Sequence, residues 1–133
     1  MATLLSDYDC KGQAKRIRYS LQRLGYLEWF DIEIVFFETI GLPITLTDEE
    51  VWRFCQENGY YLLTGNRSTK AEVRSLHAVL NRLANEESLP VITIGDPKRV
   101  VYDRTYCEAC AETLVKIILQ SELYVGVPRL YIP

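Results

Sequence analysis

Residues 47–66 read TDEEVWRFCQENGYYLLTGN, and the order of signals within them decides the fold. Thr47 with Glu50 is a capping-box pattern: the threonine hydroxyl accepts from the backbone N–H three residues on, while the glutamate reaches back to the threonine N–H. A helix therefore opens at Asp48 and runs to about Asn58, where Gly59 can close it. Tyr60 to Thr64 is aromatic and aliphatic, suited to a buried strand. Gly65-Asn66 then turns the chain, since both residues tolerate a left-handed backbone.

Working outward, the same alternation repeats. Residues 2–6 (ATLLS) form a first short strand. Residues 11–28 carry Ala14, Ile17, Leu21 and Leu24 at spacings of three and four, a helical stripe interrupted near its end by Gly25. Residues 32–37 (IEIVFF) read as the second strand, and Gly41-Leu42-Pro43 breaks the chain after it. Residues 71–86 show helical spacing through Val73, Leu76, Val79, Leu80 and Leu83. Residues 90–94 (PVITI) are the fourth strand, stopped by Gly95-Asp96-Pro97. A helix over residues 105–122 and an edge strand over residues 129–132 complete the reading. Regular alternation of strand and helix implies parallel pairing with helices on both faces. The expectation is one three-layer α/β domain over residues 1–133, with a mostly parallel sheet of four to five strands.

Bulk properties narrow the function classes. The composition, 48% hydrophobic and 25% charged, is that of an ordinary folded domain. A net charge of −3 argues against a protein that coats nucleic acid with its whole surface, while leaving room for a local basic patch. The first residues lack a basic segment before an apolar one, and no apolar run approaches a membrane span. The expected location is the cytoplasm, away from membranes.

In open parallel sheets, ligands bind beyond the carboxyl ends of the strands. Asp7 and Asp9 follow the first strand. Asp48, Glu49 and Glu50 follow the loop after the second, Asn66 the third, and Asp96 the fourth. Acids or their amide thus arrive at one edge from every crossover. Clustered carboxylates suit a hard divalent ion, Mg²⁺ or Mn²⁺, which polarises a phosphate and lowers the pKa of a water. Each residue also has a plainer reading. Asp48 lies in a capping box, Gly65-Asn66 is an ordinary turn pair, and Asp96-Pro97 is another turn signal. Asp7, ending the first strand, has the least structural excuse.

The run LLSDYD at residues 4–9, the segment LTDEEVWRFCQENGYYLLTGN at 46–66 and PVITIGD at 90–96 resemble the PIN-like nuclease superfamily. The likeness is narrower to its short, uncharacterised bacterial branch, some members of which are encoded beside antitoxin-like genes. It spans about residues 2–132, and residues 47–66 carry its most specific part. The resemblance implies a PIN-like fold and Mg²⁺- or Mn²⁺-dependent hydrolysis of RNA, toxin-like in some settings and controlled by an antitoxin-like protein partner. It implies that Asp7, Asp48 and Asp96 are the metal-binding acids. Asn66 stands where that family usually has an aspartate, and would orient a water; Asp9 is positioned to compensate.

The rival reading from the same resemblance is a catalytically degenerate PIN-like module that binds RNA or a protein. Basic residues gather near the proposed edge: Lys11, Lys15 and Arg18 on the first helix, and Arg67, Lys70, Lys98 and Arg99 in the loops. They can grip a phosphate backbone, with Tyr102, Tyr106 and Tyr131 stacking on bases, or they are a solvated surface. Trp52, Phe54, Tyr60 and Tyr61 are either core or the face of a homodimer. Cys107-Glu108-Ala109-Cys110 opens a helix as redox dithiols do, but Cys107, Cys110, Leu114, Ile117 and Ile118 share one stripe, which favours core packing. Cys10 and Cys55 are isolated, so zinc is poorly supported. His77, the only histidine, falls on an amphipathic helix beside Leu76 and Leu80. One histidine and no nucleophile-elbow, P-loop or dinucleotide motif disfavour acyl transfer and nucleotide cofactors of those kinds.

Overall fold

The computed structural model describes residues 1–67 and 75–133. Its centre is a sheet of five parallel strands, β1 (Ala2–Ser6), β2 (Ile32–Val35), β3 (Tyr61–Thr64), β4 (Val91–Ile94) and β5 (Arg129–Ile132), in the order β2-β1-β3-β4-β5. Side chains alternate across the sheet, as the pleat requires. Leu4, Ile34, Leu63, Ile92 and Ile132 face one apolar layer, while Leu5, Val35, Leu62 and Val91 face the other.

The first layer is roofed by α1 (Lys11–Arg23) and α7 (Arg104–Leu119), with α2 (Tyr26–Trp29), α6 (Pro97–Tyr102) and α8 (Ser121–Tyr124) beside them. Ala14, Ile17 and Leu21 of α1 meet Cys107, Cys110, Ala111, Leu114 and Ile117 of α7 in this core. The second layer holds α3 (Phe37–Ile40), α4 (Asp48–Asn58) and α5 (Leu76–Leu83), which bury Phe37, Val51, Trp52, Cys55, Leu76, Val79 and Leu80. The three-layer α/β expectation is therefore met, and the Cys107–Cys110 pair is core rather than a presented dithiol.

Several boundaries differ from the sequence reading. The first helix ends at Arg23, because Gly25 (φ 81°) takes a left-handed turn before α2 begins. The second strand stops at Val35, and Phe37 starts a short helix instead of extending it. The helix expected over residues 105–122 is two, α7 from its cap at Asp103 and α8 after a break at Gln120, and a further helix that was not expected, α6, starts before them at the Asp96 cap. The expected helical residues before Ser75, including Ala71 and Val73, lie outside the described residues, as does Lys70. Trp52 and Tyr61 are buried, and Phe54 packs edge-on against Tyr60 at 5.9 Å, so this aromatic group is core and satellite packing. His77 is half-buried. No helix among the described residues is long and apolar enough to cross a membrane.

Strand order locates the functional edge more sharply than alternation does. The chain runs from β1 outward to β2, then returns past β1 to lay down β3 on the other side. The carboxyl ends of β1 and β3 thus flank the point where the winding reverses, which in open α/β sheets is where a crevice opens.

Candidate active site

A hollow of about 490 Å³ lies at this point. Its polar wall comes from Asp7 and Asp9 after β1, Thr64 and Asn66 at the end of β3, and Asp48 in the first turn of α4. Its apolar wall includes Phe37, Ile44, Leu46 and Val51. No lysine or arginine among the described residues lines it.

Asp7 is placed by the strands. Its backbone N–H donates to the Leu63 carbonyl at 2.8 Å, tying the end of β1 to β3. The carboxylate then caps the short 3-10 turn at Tyr8–Cys10: Oδ1 accepts from the Tyr8 N–H at 2.9 Å. Oδ2 accepts from the Thr64 hydroxyl, also at 2.9 Å. That hydroxyl in turn accepts from the Asn66 N–H at 3.0 Å, so Thr64 links the two site residues directly. Burial pushes the Asp7 carboxyl above its ordinary range, and the charges of Asp48 and Asp9 push the same way, against the two hydrogen bonds. A carboxyl raised in the folded state contributes stability that is present below its unfolded pKa and lost as pH rises through the folded value. Ionising Asp7 in the folded state therefore carries a cost.

Asp48 reaches the hollow because the capping box forms as the sequence predicts. Thr47 accepts from the Glu50 N–H at 3.2 Å, and Glu50 accepts from the Thr47 N–H at 3.0 Å. Partial burial raises the Asp48 carboxyl too, with a further push from Asp9, opposed by the Leu76 N–H at the start of α5. Gly59 (φ 68°) closes α4 in the left-handed conformation and lets the chain double back into β3. Gly65 serves a different need: a Cβ there would lie 3.2 Å from Pro97 Cγ and 3.6 Å from Cys10 Cβ, so a bare backbone lets β3 end between α6 and the 3-10 turn.

The remaining expected residues divide. Asn66 lines the hollow, and its carbonyl accepts from Arg129 Nη1 at 2.6 Å. Asp96 stands at the same sheet edge but is not part of the hollow's wall. Its carboxylate caps α6, accepting from the Arg99 N–H at 3.3 Å, with Pro97 at the first helical position. Lys11 pairs with Glu38 at 2.5 Å, and Arg67 donates to the Gly95 carbonyl at 2.9 Å. Arg99 donates to Asp103 at 2.9 Å and covers the Tyr106 ring at 4.7 Å. Lys15 and Lys98 are exposed. Thr64, Tyr8 and Gln13 belong to the site but were not singled out from sequence. For Thr64 a signal existed, a hydroxyl closing an otherwise apolar strand just before a glycine.

The donor set offers oxygen: carboxylates of Asp7, Asp48 and Asp9, and the Asn66 amide. Among the described residues, no three His, Cys, Asp or Glu side chains stand close enough together to hold a metal ion by themselves. Such a set fits Mg²⁺ or Mn²⁺ held through one or two carboxylates with the other positions left to water and substrate, and not an ion that needs a closed protein cage. Cys10 lies in the wall, but burial pushes its thiol up to about 11 and its Sγ donates to the Leu63 carbonyl at 3.3 Å, so it is no thiolate ligand. Comparison with known proteins leaves the geometry to stand alone: no family model, no curated protein and no solved structure matches the chain.

Proposed function

We propose that this protein is a divalent-ion-dependent hydrolase of RNA phosphodiester bonds, acting at the hollow between the ends of β1 and β3. The observation that carries the reading is electrostatic. Two carboxyls, Asp7 and Asp48, are both held above their ordinary range mainly by burial, within a wall that contains no lysine or arginine among the described residues. Anionic oxygen gathered without a counter-charge favours an added cation. A bound Mg²⁺ or Mn²⁺ supplies neutralisation of phosphate charge and a water of lowered pKa.

The chain's own residues then have distinct roles. Asp7 and Asp48 hold the ion. Thr64 fixes the Asp7 carboxylate in one orientation, so its outward lone pairs keep their aim. Asn66 orients a water on the opposite lip of the hollow, and Asp9 adds negative charge near the mouth. The apolar wall of Phe37, Ile44 and Leu46 limits bulk water around the reacting phosphate. The resemblance of residues 47–66 to the PIN-like nucleases points to the same chemistry and supports RNA as substrate.

Asn66 favours the second reading, a PIN-like module that binds RNA or protein without cutting, because an amide brings no charge where that family usually has an acid. Labelled RNA incubated with the protein in Mg²⁺, Mn²⁺ or EDTA separates the two. Cleavage is expected with either ion, absent with EDTA and absent in Asp7→Asn. Cutting that persists in EDTA or in that variant would remove support for the enzyme. Binding without cutting, unchanged in Asn66→Asp, would favour the module.

A further inference from the structure

A second hollow, of about 630 Å³, lies between α1 and the helices α6 and α7. Lys15, Arg16 and Arg104 stand on its walls and no acidic residue lines it, in a chain whose net charge is −3. Among the described residues, Arg16 makes no ion pair, and Lys15 makes none within contact distance, its ammonium lying 5.8 Å from the centre of the Phe36 ring with Glu38 within reach of its charge. Arg104 shares the single carboxylate of Glu108 with Arg23, leaving positive charge in excess there too. Tyr19 and Tyr102, 63% and 76% exposed, also line the hollow. Its floor is closed by the buried side chains of Val100 and Cys107.

Each of these residues is unremarkable alone, since exposed tyrosines and lysines are common on helices. Their combination is specific. A groove that joins cations to exposed aromatic rings offers phosphate contacts and stacking faces together. A duplex keeps its base faces stacked inside, so only an unpaired strand can use both features. The groove neighbours the acidic hollow without sharing a lining residue. Gly12 lines the groove and Gln13, the next residue of α1, lines the acidic hollow; on α6, Val100 lines one and Pro97 the other.

We infer that this groove binds single-stranded RNA, with bases stacked on Tyr19 and Tyr102 and phosphates held by Lys15, Arg16 and Arg104, and feeds the strand toward the acidic hollow. The direction of feeding rests on the hydrolase reading; the binding does not. Lys15 thus keeps the phosphate-binding role expected from sequence, while Arg16, Tyr19 and Arg104 are added to it.

The test is fluorescence anisotropy with a 5′-labelled, unstructured twelve-nucleotide RNA in EDTA, where no metal-dependent cutting intervenes. Tyr19→Ala and Tyr102→Ala are each expected to weaken binding roughly five- to hundredfold, the range for loss of one stacked base. The double variant Lys15→Ala/Arg16→Ala is expected to flatten the slope of log affinity against log salt by about 1.4, or about 0.7 per phosphate contact on a single strand. Trp29→Ala, at an exposed aromatic outside the groove, is the control and should bind as the native chain does. Native affinity in both tyrosine variants, or equal affinity for a duplex of the same sequence, would overturn the groove. Loss of cutting with binding intact would count against the hydrolase alone, and intact cutting without groove binding against the groove alone.

Discussion

Thr64→Val replaces one hydroxyl by a methyl group of nearly the same shape at a position with no solvent exposure. The lost hydroxyl donates to Asp7 Oδ2 at 2.9 Å and accepts from the Asn66 N–H at 3.0 Å. The first is a hydrogen bond to a charged group, worth about 1.5–3 kcal/mol, and the second a neutral one worth about 0.5–1.5 kcal/mol. Together they set an expected loss of about 3 kcal/mol at neutral pH. For a chain of this length that is a fall in Tm of about 10 °C. Urea unfolding followed by far-UV circular dichroism measures it, and an unchanged m-value would show that only stability moved. The sign with pH follows from Asp7. The Thr64 bond favours the ionised carboxylate, so its removal lifts the carboxyl further, and the penalty is greatest where Asp7 is charged. As pH falls and the carboxyl protonates, the gap between variant and native stabilities should narrow toward the part owed to the neutral Asn66 N–H bond. A double-mutant cycle with Asp7→Asn isolates the bond, with an expected coupling of about 1–2 kcal/mol, the difference between charged and neutral hydrogen bonds. A coupling indistinguishable from zero, or a penalty that does not change with pH, would refute the claim that Thr64 acts through the Asp7 charge.

Three other outcomes follow from the same geometry. The difference in Tm between Asp7→Asn and the native chain is expected to shift in favour of the variant as pH rises from about 4 toward neutrality, because the raised carboxyl costs stability only when ionised; millimolar Mg²⁺ or Mn²⁺ should raise the native Tm and leave the variant's alone, and thermal scans showing no such contrast would speak against a cation site. Thr47→Ala removes the hydroxyl half of the capping box and should cost about 1 kcal/mol, read as a drop of a few degrees in Tm. Thiol titration of the native protein should be slow, since burial lifts Cys10 to about 11 and Cys55 and Cys110 to about 12, whereas denaturation should release all four thiols; prompt native reaction would contradict the core assignment.

The fold was legible because β1, β3 and β4 end at glycine-containing or polar turns and each longer helix carries a three-four stripe. Boundaries blurred where two signals overlapped. Phe36 and Phe37 look like strand residues by composition, yet Phe36 serves one apolar layer and Phe37 the other as the first residue of a helix. Apolarity alone cannot tell a buried strand end from a buried helix start. The expected start at residue 105 agrees with the cap at Asp103, whereas α6 went unread because Gly95-Asp96-Pro97 signals a turn and a helix start alike. Of the candidate site, the rule about carboxyl ends pointed to the edge where the hollow lies, and Thr47-Asp48-Glu49-Glu50 announced its own helix. What spacing could not supply was strand order. Only the β2-β1-β3 arrangement puts Asp7 and Asn66 on the two lips of one crevice while leaving Asp96 a strand away, where the Asp-Pro pair starts α6. The partners of Lys11 and Arg67 were equally hidden, since Glu38 and the Gly95 carbonyl are remote in sequence.

Strand order also gives Asn66 a physical meaning. An aspartate there would add a further charge to the hollow shared with Asp7, which already feels Asp48 and Asp9 and already sits above its ordinary pKa. Each added like charge in a half-buried hollow raises the cost of ionising the others. With an amide at that position, the two carboxylates of Asp7 and Asp48 carry two negative charges, which one divalent ion can balance, and Asp9 nearer the mouth leaves a modest excess to be screened by solvent. A hollow built this way would bind its ion less tightly than one with a further acid, and would place a larger share of the metal's coordination on water and phosphate. Metal affinity and RNA affinity would then rise together, because the phosphate completes the shell that the protein leaves open.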